Sequence, residues 1–304
     1  MELRQLRYFV TIIESGSLLE ASKHVYVAQP ALSQQIAKLE QEIGHKLLER
    51  TARGVLPTKV GDEFYHSVKS ILRNIDQAVS AAKSGGEVAG IVSLGVTPST
   101  SLVMGLPILL KAKQRVPSLK VNIVERLSGH VYEMTRQGLL DASIMFESRP
   151  THNMEVELLG EDEMTLLGSP DMFARFGLGS TVGKAELGSL PLILSSTTHY
   201  TRRRIDSEFA RLGINPLISD EIDSVTLTMD AVEKGVGFAI RGRASSRSQL
   251  GGFCSATIIE GVWAQRFYLH AMQASGRSIA CSYLVDVIRE VADELIGSGT
   301  LTAS

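Results

Sequence analysis

The chain has 304 residues, enough for about two domains, and its 44% hydrophobic and 21% charged residues are ordinary for a globular protein. No apolar run approaches the roughly 18 residues of a membrane span, and the first residues carry charges where a signal peptide needs an apolar centre. We therefore expect a cytoplasmic protein without a membrane partner.

The net charge of −2 does not exclude a nucleic-acid partner, because the net charge of a two-domain chain can conceal a basic segment. Residues 1–60 hold eight Lys and Arg against six acids, a balance of +2. A segment this mildly basic would bind DNA weakly as a single copy, since phosphate contacts fade steeply with ionic strength. A DNA-binding role would therefore require at least two copies.

The first part of the chain predicts three short helices. Apolar residues recur at helical spacing in LRQLRYFVTIIES, and Gly16 ends that helix. Ser17 caps a second short helix, LLEASKHV. Pro30 opens a third helix, which runs to about Ile43 and is closed by Gly44.

A small hairpin is predicted after the third helix. KLLER and VLPT form two short extended segments around Gly54, and Arg53 lies near the tip. Three helices followed by a hairpin with a basic tip is the plan of a winged helix-turn-helix.

The polar start of the third helix suits contact with DNA bases. Glutamine amides and serine hydroxyls can both donate hydrogen bonds to base edges in the major groove and accept them. We expect Gln29, Ser33 and Gln34 to make these base contacts. Lys38 is expected to meet phosphate, and Arg53 to reach a narrow minor groove. The alternative is a solvated polar helix face beside a surface hairpin. The DNA-binding candidates are Gln29, Pro30, Ser33, Gln34, Gln35, Lys38, Arg50, Arg53 and Thr58.

The residue pattern of this segment resembles the N-terminal signature of LysR-type transcriptional regulators. The resemblance lies in LRYFVTIIESGSLLEASKHVYVAQPALSQQIAKLEQEIGHKLLERTARGVLPTKVG. It implies a bacterial regulator that binds double-stranded promoter DNA, affects RNA polymerase indirectly, and joins its winged helix-turn-helix to a two-lobed, periplasmic-binding-protein-like α/β effector domain. AQPALSQQ and the C-terminal part look most like the nitrogen assimilation control subgroup. Glu20 and Ala28 depart from the family pattern, so the operator preference does not carry over.

Residues 59–84 predict one long amphipathic helix, about 39 Å long at the α-helical rise. A helix with one apolar face must pack against something, and a second copy is the simplest partner, which gives a homodimer or homotetramer. The alternative is a helix that lies on its own domain. The predicted seam consists of Phe64, Val68, Ile71, Ile75, Ala78 and Ala82. A glycine-rich hinge follows at residues 86–90.

The remainder of the chain alternates strands and helices, which predicts parallel α/β units. IVSLGV, LKVNIVERL and DASIMF are the strands of a first unit, and MTLLGS begins a second. RFYLHAM and the last helix return to the first lobe. The predicted domains are residues 1–58 for DNA binding, 59–85 for the linker and dimerisation helix, 91–161 with 266–304 for lobe I, and 162–265 for lobe II.

Polar residues follow the predicted strands, where ligands of open α/β sheets bind. Hydroxyls at helix starts suit a small anion such as a carboxylate, although each alone is also an ordinary helix cap. Arg241 follows VGFAI, and RGRASS stands where the family usually has LP. The effector-binding candidates are Thr97, Ser99, Thr100, Ser101, Ser128, Phe146, Thr198, His199, Tyr200, Thr201, Arg202, Ser224 and Thr226.

No pattern typical of an enzyme is found. The chain lacks GxSxG, P-loop, HExxH and GxGxxG motifs, and its seven histidines never pair at i, i+4, so we predict no catalytic residue, metal or cofactor. His199 beside Tyr200 is the remaining candidate for chemistry, but binding or capping is favoured. Cys254 and Cys281 lack a CxxC spacing and are expected to be inert thiols, with a redox pair as the alternative.

Two further alternatives concern the C-terminal part. It could belong to a regulator that needs no effector and is controlled by its own abundance, as the nitrogen-control resemblance suggests. It could also be a transport-type solute receptor, but the attached DNA-binding segment and the missing signal sequence count against that class.

Overall fold

The computed structural model describes residues 1–51, 54–83, 90–151, 154–247, 252–273 and 277–303. The chain separates into two compact units. The first consists of residues 1–90 with 136–139, and the second of residues 91–135 with 140–304. None of the helices in the described ranges is long and apolar enough to cross a membrane.

The N-terminal unit contains the predicted three helices and hairpin, followed by the long helix. Its core is formed by fully buried side chains from three helices and the start of the wing, among them Phe9, Ile12, Leu32, Leu39 and Leu47. The elements are α1 (Leu3–Ser15), α2 (Leu18–His24), α3 (Gln29–Ile43), β1 (Leu48–Thr51), β2 (Gly54–Pro57) and α4 (Lys59–Lys83).

Two glycines join the wing to the turn between α1 and α2. Gly16 ends α1 in the left-handed conformation, and its carbonyl accepts a 2.8 Å hydrogen bond from the Val55 amide. Gly54 has φ +120°, and a Cβ there would collide with the Gly16 carbonyl. Glycine is therefore required at position 54 both by conformation and by space.

The carboxylate of Glu40 connects α3 to the wing. It accepts hydrogen bonds from the backbone amides of Leu47 (2.9 Å) and Leu48 (3.2 Å) and from Lys46 Nζ (2.6 Å). Burial favours a higher pKa for Glu40, but these donors outweigh it and hold the pKa below its ordinary value.

The predicted dimerisation seam on α4 is corrected at Val68, which lies inside the core of the N-terminal unit. Val68 is only 1% exposed within its own unit, and the Phe64 ring lies 5.4 Å from that of Phe9. Val68 is therefore part of the core of the N-terminal unit and is not accessible to a second copy, whereas Phe64 is half-buried against that core and its place in the seam stays a prediction. Further along, Ile71 is 48% exposed, Ile75 is half-buried, and Ala78 and Ala82 are exposed.

The second unit is built on a mixed sheet. Its strands are β3 (Gly90–Val96), β4 (Leu119–Glu125), β5 (Ala142–Met145), β6 (Met154–Gly168), β7 (Thr181–Val182), β8 (Pro191–Leu194), β9 (Leu217–Glu221), β10 (Ala239–Gly242), β11 (Cys254–Ile258) and β12 (Ala264–Met272). The main order is β4-β3-β5-β12-β6-β11-β7, with β10 also paired to β6, and β8 and β9 form a separate parallel pair. β3 and β5 are parallel as predicted, whereas β12 runs antiparallel to both β5 and β6.

β6 extends further than the sequence predicted. The expected start of the second unit, MTLLGS, is only the last part of this fifteen-residue strand. The first part of β6 pairs with β12 along residues 154–163, and the last part pairs with β10 and β11 along residues 164–168. The predicted lobe boundary at residue 161 therefore lies inside one continuous strand.

Helices cover this sheet. They are α5 (Pro98–Thr100), α6 (Leu106–Arg115), α7 (Ser128–Arg136), α8 (Pro170–Arg175), α9 (Lys184–Leu187), α10 (Tyr200–Leu212), α11 (Val225–Glu233), α12 (Arg243–Arg247) and α13 (Ile279–Gly297). A π-helical turn, Ser101–Gly105, joins α5 to α6. α13 buries Leu284, Val285 and Ile288, and Glu290 on its polar side pairs with Arg115 of α6 at 2.5 Å.

Candidate functional site

The N-terminal end of α3 presents an exposed polar surface. Gln29, Pro30, Gln34 and Lys38 are exposed, and Ser33 is half-buried. Gln35 is also half-buried, and its Oε1 accepts a 3.3 Å hydrogen bond from Gln5 Nε2 of α1. The amides at positions 29 and 34 are exposed, whereas the amide of position 35 is already engaged within the unit.

The predicted phosphate contact at Thr58 is corrected. The Thr58 hydroxyl donates to the Lys46 carbonyl at 2.8 Å and accepts from the Gly61 amide at 3.0 Å, so it caps α4. Its only hydrogen is therefore used within the unit. Arg53 and the side chain of Arg50 lie outside the described residues, and their predicted DNA contacts stay predictions.

A cavity of ≈ 220 Å³ lies in the second unit, where β3, β5, β8 and β9 end and where α7, α10 and α11 begin. The structure brings together eight of the predicted effector-binding residues on its lining: Thr97, Ser99, Ser128, Phe146, Thr198, His199, Tyr200 and Thr201. This gathering of hydroxyls and helix starts is the arrangement expected from the sequence pattern.

Five predicted residues do not line this cavity, and most of them have intramolecular roles. Thr100 is fully buried with its hydroxyl 2.7 Å from that of Thr97, and Ser101 begins the π-helical turn. Arg202 turns away to bind Asp206 and Glu221. Ser224 caps α11, and Thr226 is exposed on that helix. These five positions are removed from the candidate site.

Arg241 contributes a positive charge to the lining of the cavity. It follows a predicted strand but is not among the effector-binding candidates predicted from the sequence. Its Nη2 donates to Ser99 Oγ at 2.9 Å, and within the described ranges its side chain has no other hydrogen bond and no ion pair. Burial lowers the pKa of Arg241 to about 10, although the negative charge of Asp162 acts to raise it. Arg241 therefore remains a cation at neutral pH.

The other charged groups of the lining are paired. Glu147, whose side chain is 15% exposed, binds both Arg149 and Arg203, the latter at 2.8 Å. His199 Nε2 lies 3.2 Å from Asp223 Oδ1. Hydrogen bonds from Ser196 are the main reason that the pKa of Asp223 lies below its ordinary value. Arg241 is thus the charge of this lining that a ligand could neutralise.

Apolar and aromatic side chains complete the walls. Phe146 stacks on Tyr200 with ring centroids 6.1 Å apart, and burial raises the pKa of Tyr200, which keeps it neutral. Ile193, Ile205 and Ile222 also face the cavity. The site can therefore hold a small molecule with an anionic group near Arg241 and an apolar body.

Ser196 bonds to a carboxylate and to a nearby hydroxyl. Its Oγ donates to Asp223 Oδ2 at 3.1 Å and lies 2.9 Å from Thr198 Oγ1. In the part of the chain that the structure describes, no three potential ligands gather around a common metal position. Among the described residues, neither Cys254 nor Cys281 forms a disulfide, and Cys281 Sγ donates to the Asp141 carbonyl at 3.5 Å.

Comparison with known proteins gives matches over nearly the whole chain. Residues 3–62 match the profile of the bacterial regulatory helix-turn-helix proteins of the lysR family, and residues 85–293 match the LysR substrate binding domain. The nitrogen assimilation regulatory proteins of Klebsiella aerogenes and Escherichia coli are 32% and 31% identical over 253 residues, which cover 83% of this chain and 81% of each relative. The full-length LysR family regulator CbnR in complex with its target DNA has a similar fold, with a TM-score of 0.70 at 19% identity, over 96% of this chain and 100% of CbnR.

Proposed function

Because this chain belongs to the LysR family of bacterial transcriptional regulators, we propose that it binds promoter DNA and responds to a small anionic metabolite held in the cavity of its effector domain. The winged helix-turn-helix is its DNA-binding part. The observation that supports the anionic character of the effector is Arg241, a half-buried cation that lines the cavity, donates to the neutral Ser99 and is opposed only by the more distant charge of Asp162 among the described residues.

A half-buried cation without a directly bonded anion is incompletely solvated, and an anionic ligand would compensate for this loss. A guanidinium taken out of water loses solvation that a single serine hydroxyl does not replace. A carboxylate matches the planar fork of arginine and can accept two parallel hydrogen bonds from it. Ser99 lies within 2.9 Å of the guanidinium and would donate its own hydroxyl hydrogen to the same anion.

The rest of the ligand is limited by size and polarity. A cavity of ≈ 220 Å³ is suited to a metabolite rather than to a peptide or a nucleotide chain. Phe146, Tyr200 and Ile193 offer apolar contact to its body. The hydroxyls of Ser128, Thr198 and Thr201 give it further hydrogen bonds.

Regulation would act through an assembly of several copies. We place the protein in the cytoplasm as a homodimer or homotetramer, since a single weakly basic DNA-binding unit binds too weakly in physiological salt. Effector binding would shift the two halves of the effector domain, change the spacing of the DNA-binding units and the bend of the promoter, and so affect RNA polymerase indirectly. No chemical step is required of the protein.

The test is a thermal-shift panel of small carboxylates and sulfonates, each paired with its uncharged amide. A ligand that binds the native state at a hundredfold excess over Kd stabilises it by about 2.7 kcal/mol. We expect the acid of a matching pair to raise Tm and the amide to leave it unchanged. Arg241→Met should abolish the shift, while Arg175→Met, an exposed arginine outside the cavity lining, should retain it.

Two outcomes would contradict this assignment. An equal shift by acid and amide, or a shift that survives Arg241→Met, would show that Arg241 does not select an anion. A panel without any shift would favour a regulator that needs no effector and is controlled by its own abundance.

A further inference from the structure

The turn between α2 and α3 contains an unusual residue. Tyr26 has φ +54° and is the one non-glycine residue with positive φ in the described ranges. It follows the end of α2, where the Val27 amide donates to the Ser22 carbonyl at 3.1 Å, the hydrogen bond of a Schellman turn. This turn requires the left-handed conformation at position 26, and glycine or asparagine adopts it most easily.

The tyrosine ring makes no stabilising contact with the described residues of its own unit. Its side chain is 95% exposed. Within the described part of the chain, the phenol takes part in no hydrogen bond and the ring in no aromatic or cation contact. The left-handed backbone reduces stability and the exposed ring contributes none, and such strain is often found at residues that contact a ligand.

The position of Tyr26 just before α3 indicates that DNA is that ligand. It precedes Gln29 and Pro30, the exposed residues that begin α3, by only three and four residues. When a recognition helix enters the major groove, the segment that leads into it lies beside the phosphates bordering the groove. Tyrosine hydroxyls donate to phosphate oxygens, and such contacts set the position of a protein on the duplex.

We propose that Tyr26 is a DNA-positioning residue whose phenolic hydroxyl donates to a backbone phosphate beside the groove that α3 enters. The inference rests on the DNA-binding role of the N-terminal unit and adds a contact to it. A phenol is neutral, so this contact releases no counterion. It therefore strengthens binding without adding to the dependence of affinity on salt.

The experiment measures the affinity of the full chain for a fluorescent 30-base-pair duplex of random sequence between 50 and 200 mM salt. Tyr26→Gly removes the ring and the strain, and Tyr26→Phe removes only the hydroxyl. We expect both variants to bind about fivefold more weakly, roughly the loss of one hydrogen bond, with the salt slope of wild type. Lys38→Met, as a comparison, should reduce that slope if Lys38 meets phosphate.

The stability of the same variants separates a DNA contact from a folding defect. Relief of the left-handed strain should raise the Tm of Tyr26→Gly by about 3 °C, so its weaker DNA binding would accompany greater stability. Wild-type affinity in either variant, or a loss of affinity together with a lower Tm, would overturn the proposal for Tyr26. A wild-type protein that binds no duplex even at 50 mM salt would instead overturn the DNA-binding role itself.

Discussion

Glu40 shows how one buried carboxylate holds two structural elements together. Three donors from the segment after α3 converge on it, and they keep its pKa below the ordinary value despite its burial. Its folded-state pKa is thus lower than its unfolded-state pKa. The stability that it contributes is present above the unfolded value and is lost as the pH falls through the folded value.

We predict that Glu40→Gln lowers the free energy of unfolding of the N-terminal unit by about 2 kcal/mol at pH 7, since two buried amides lose a charged acceptor. The difference from wild type should narrow as the pH falls below 4.5, the ordinary pKa of a glutamate. Urea unfolding at several pH values measures both effects. Glu42→Gln, on an exposed glutamate of the same helix, is the control, and equal losses in the two variants would contradict the prediction.

Single residues also show what the sequence could not reveal. Thr58 and Arg202 have the right chemistry for phosphate and effector contacts, but the structure gives them partners within the chain. Part of this competition is local, because Thr58 caps α4 and Arg202 pairs with Asp206 at i+4. The other partners, Lys46 for Thr58 and Glu221 for Arg202, are distant in sequence and are not predicted by a local pattern. The requirement for glycine at position 54 likewise depends on the distant carbonyl of Gly16.

At the scale of elements, α4 combines two roles that one heptad pattern could not distinguish. Period and length correctly predict a long amphipathic helix over residues 59–83. An apolar stripe looks the same whether its own unit or a second copy covers it. The structure buries the stripe around Val68 and leaves it exposed around Ile71 and Ala78.

We predict opposite results for two substitutions on α4. Ile71→Glu should reduce self-association, because it places a charge on the exposed stripe, and should leave the helical circular dichroism and Tm nearly unchanged. Val68→Glu should unfold the N-terminal unit, because it buries a charge in the core. Sedimentation velocity and thermal melts measure the two effects. An Ile71→Glu protein with the wild-type oligomeric state would show that this stripe is not an interface.

The missed length of β6 has a physical cause. MEVELL alternates apolar and acidic residues as a half-buried strand does, but Gly160, with φ +151°, interrupts the alternation where the pairing with β12 shifts register. The apolar run MTLLGS after this irregularity resembles the start of a new strand. The period-two signal before Gly160 was therefore present in the sequence and could have predicted the first half.

For the whole molecule, the order of elements and the family resemblance predicted the two-part organisation. The family matches over residues 3–62 and 85–293 confirm a regulatory helix-turn-helix joined to a substrate-binding domain. The predicted lobe limits stay predictions. Which hydroxyls would line one cavity depended on how each loop turns, and composition does not contain that information.

The division into two compact units predicts two separate transitions in differential scanning calorimetry. Glu40→Gln should lower only the transition of the N-terminal unit. A carboxylate that binds beside Arg241 should raise the transition of the second unit, and this rise should disappear in Arg241→Met. A single transition that both substitutions move together would show that the units unfold as one.

β6 also limits how the effector domain can be divided into fragments. A cut at residue 161 would split one strand between two polypeptides and separate most of β12 from its partners on β6. Each fragment would then expose unpaired backbone amides and carbonyls along a sheet edge, which is a template for aggregation. The two predicted lobes would therefore share one continuous strand, and a biosensor built from this domain should keep that strand whole and place its inserted reporter in a loop.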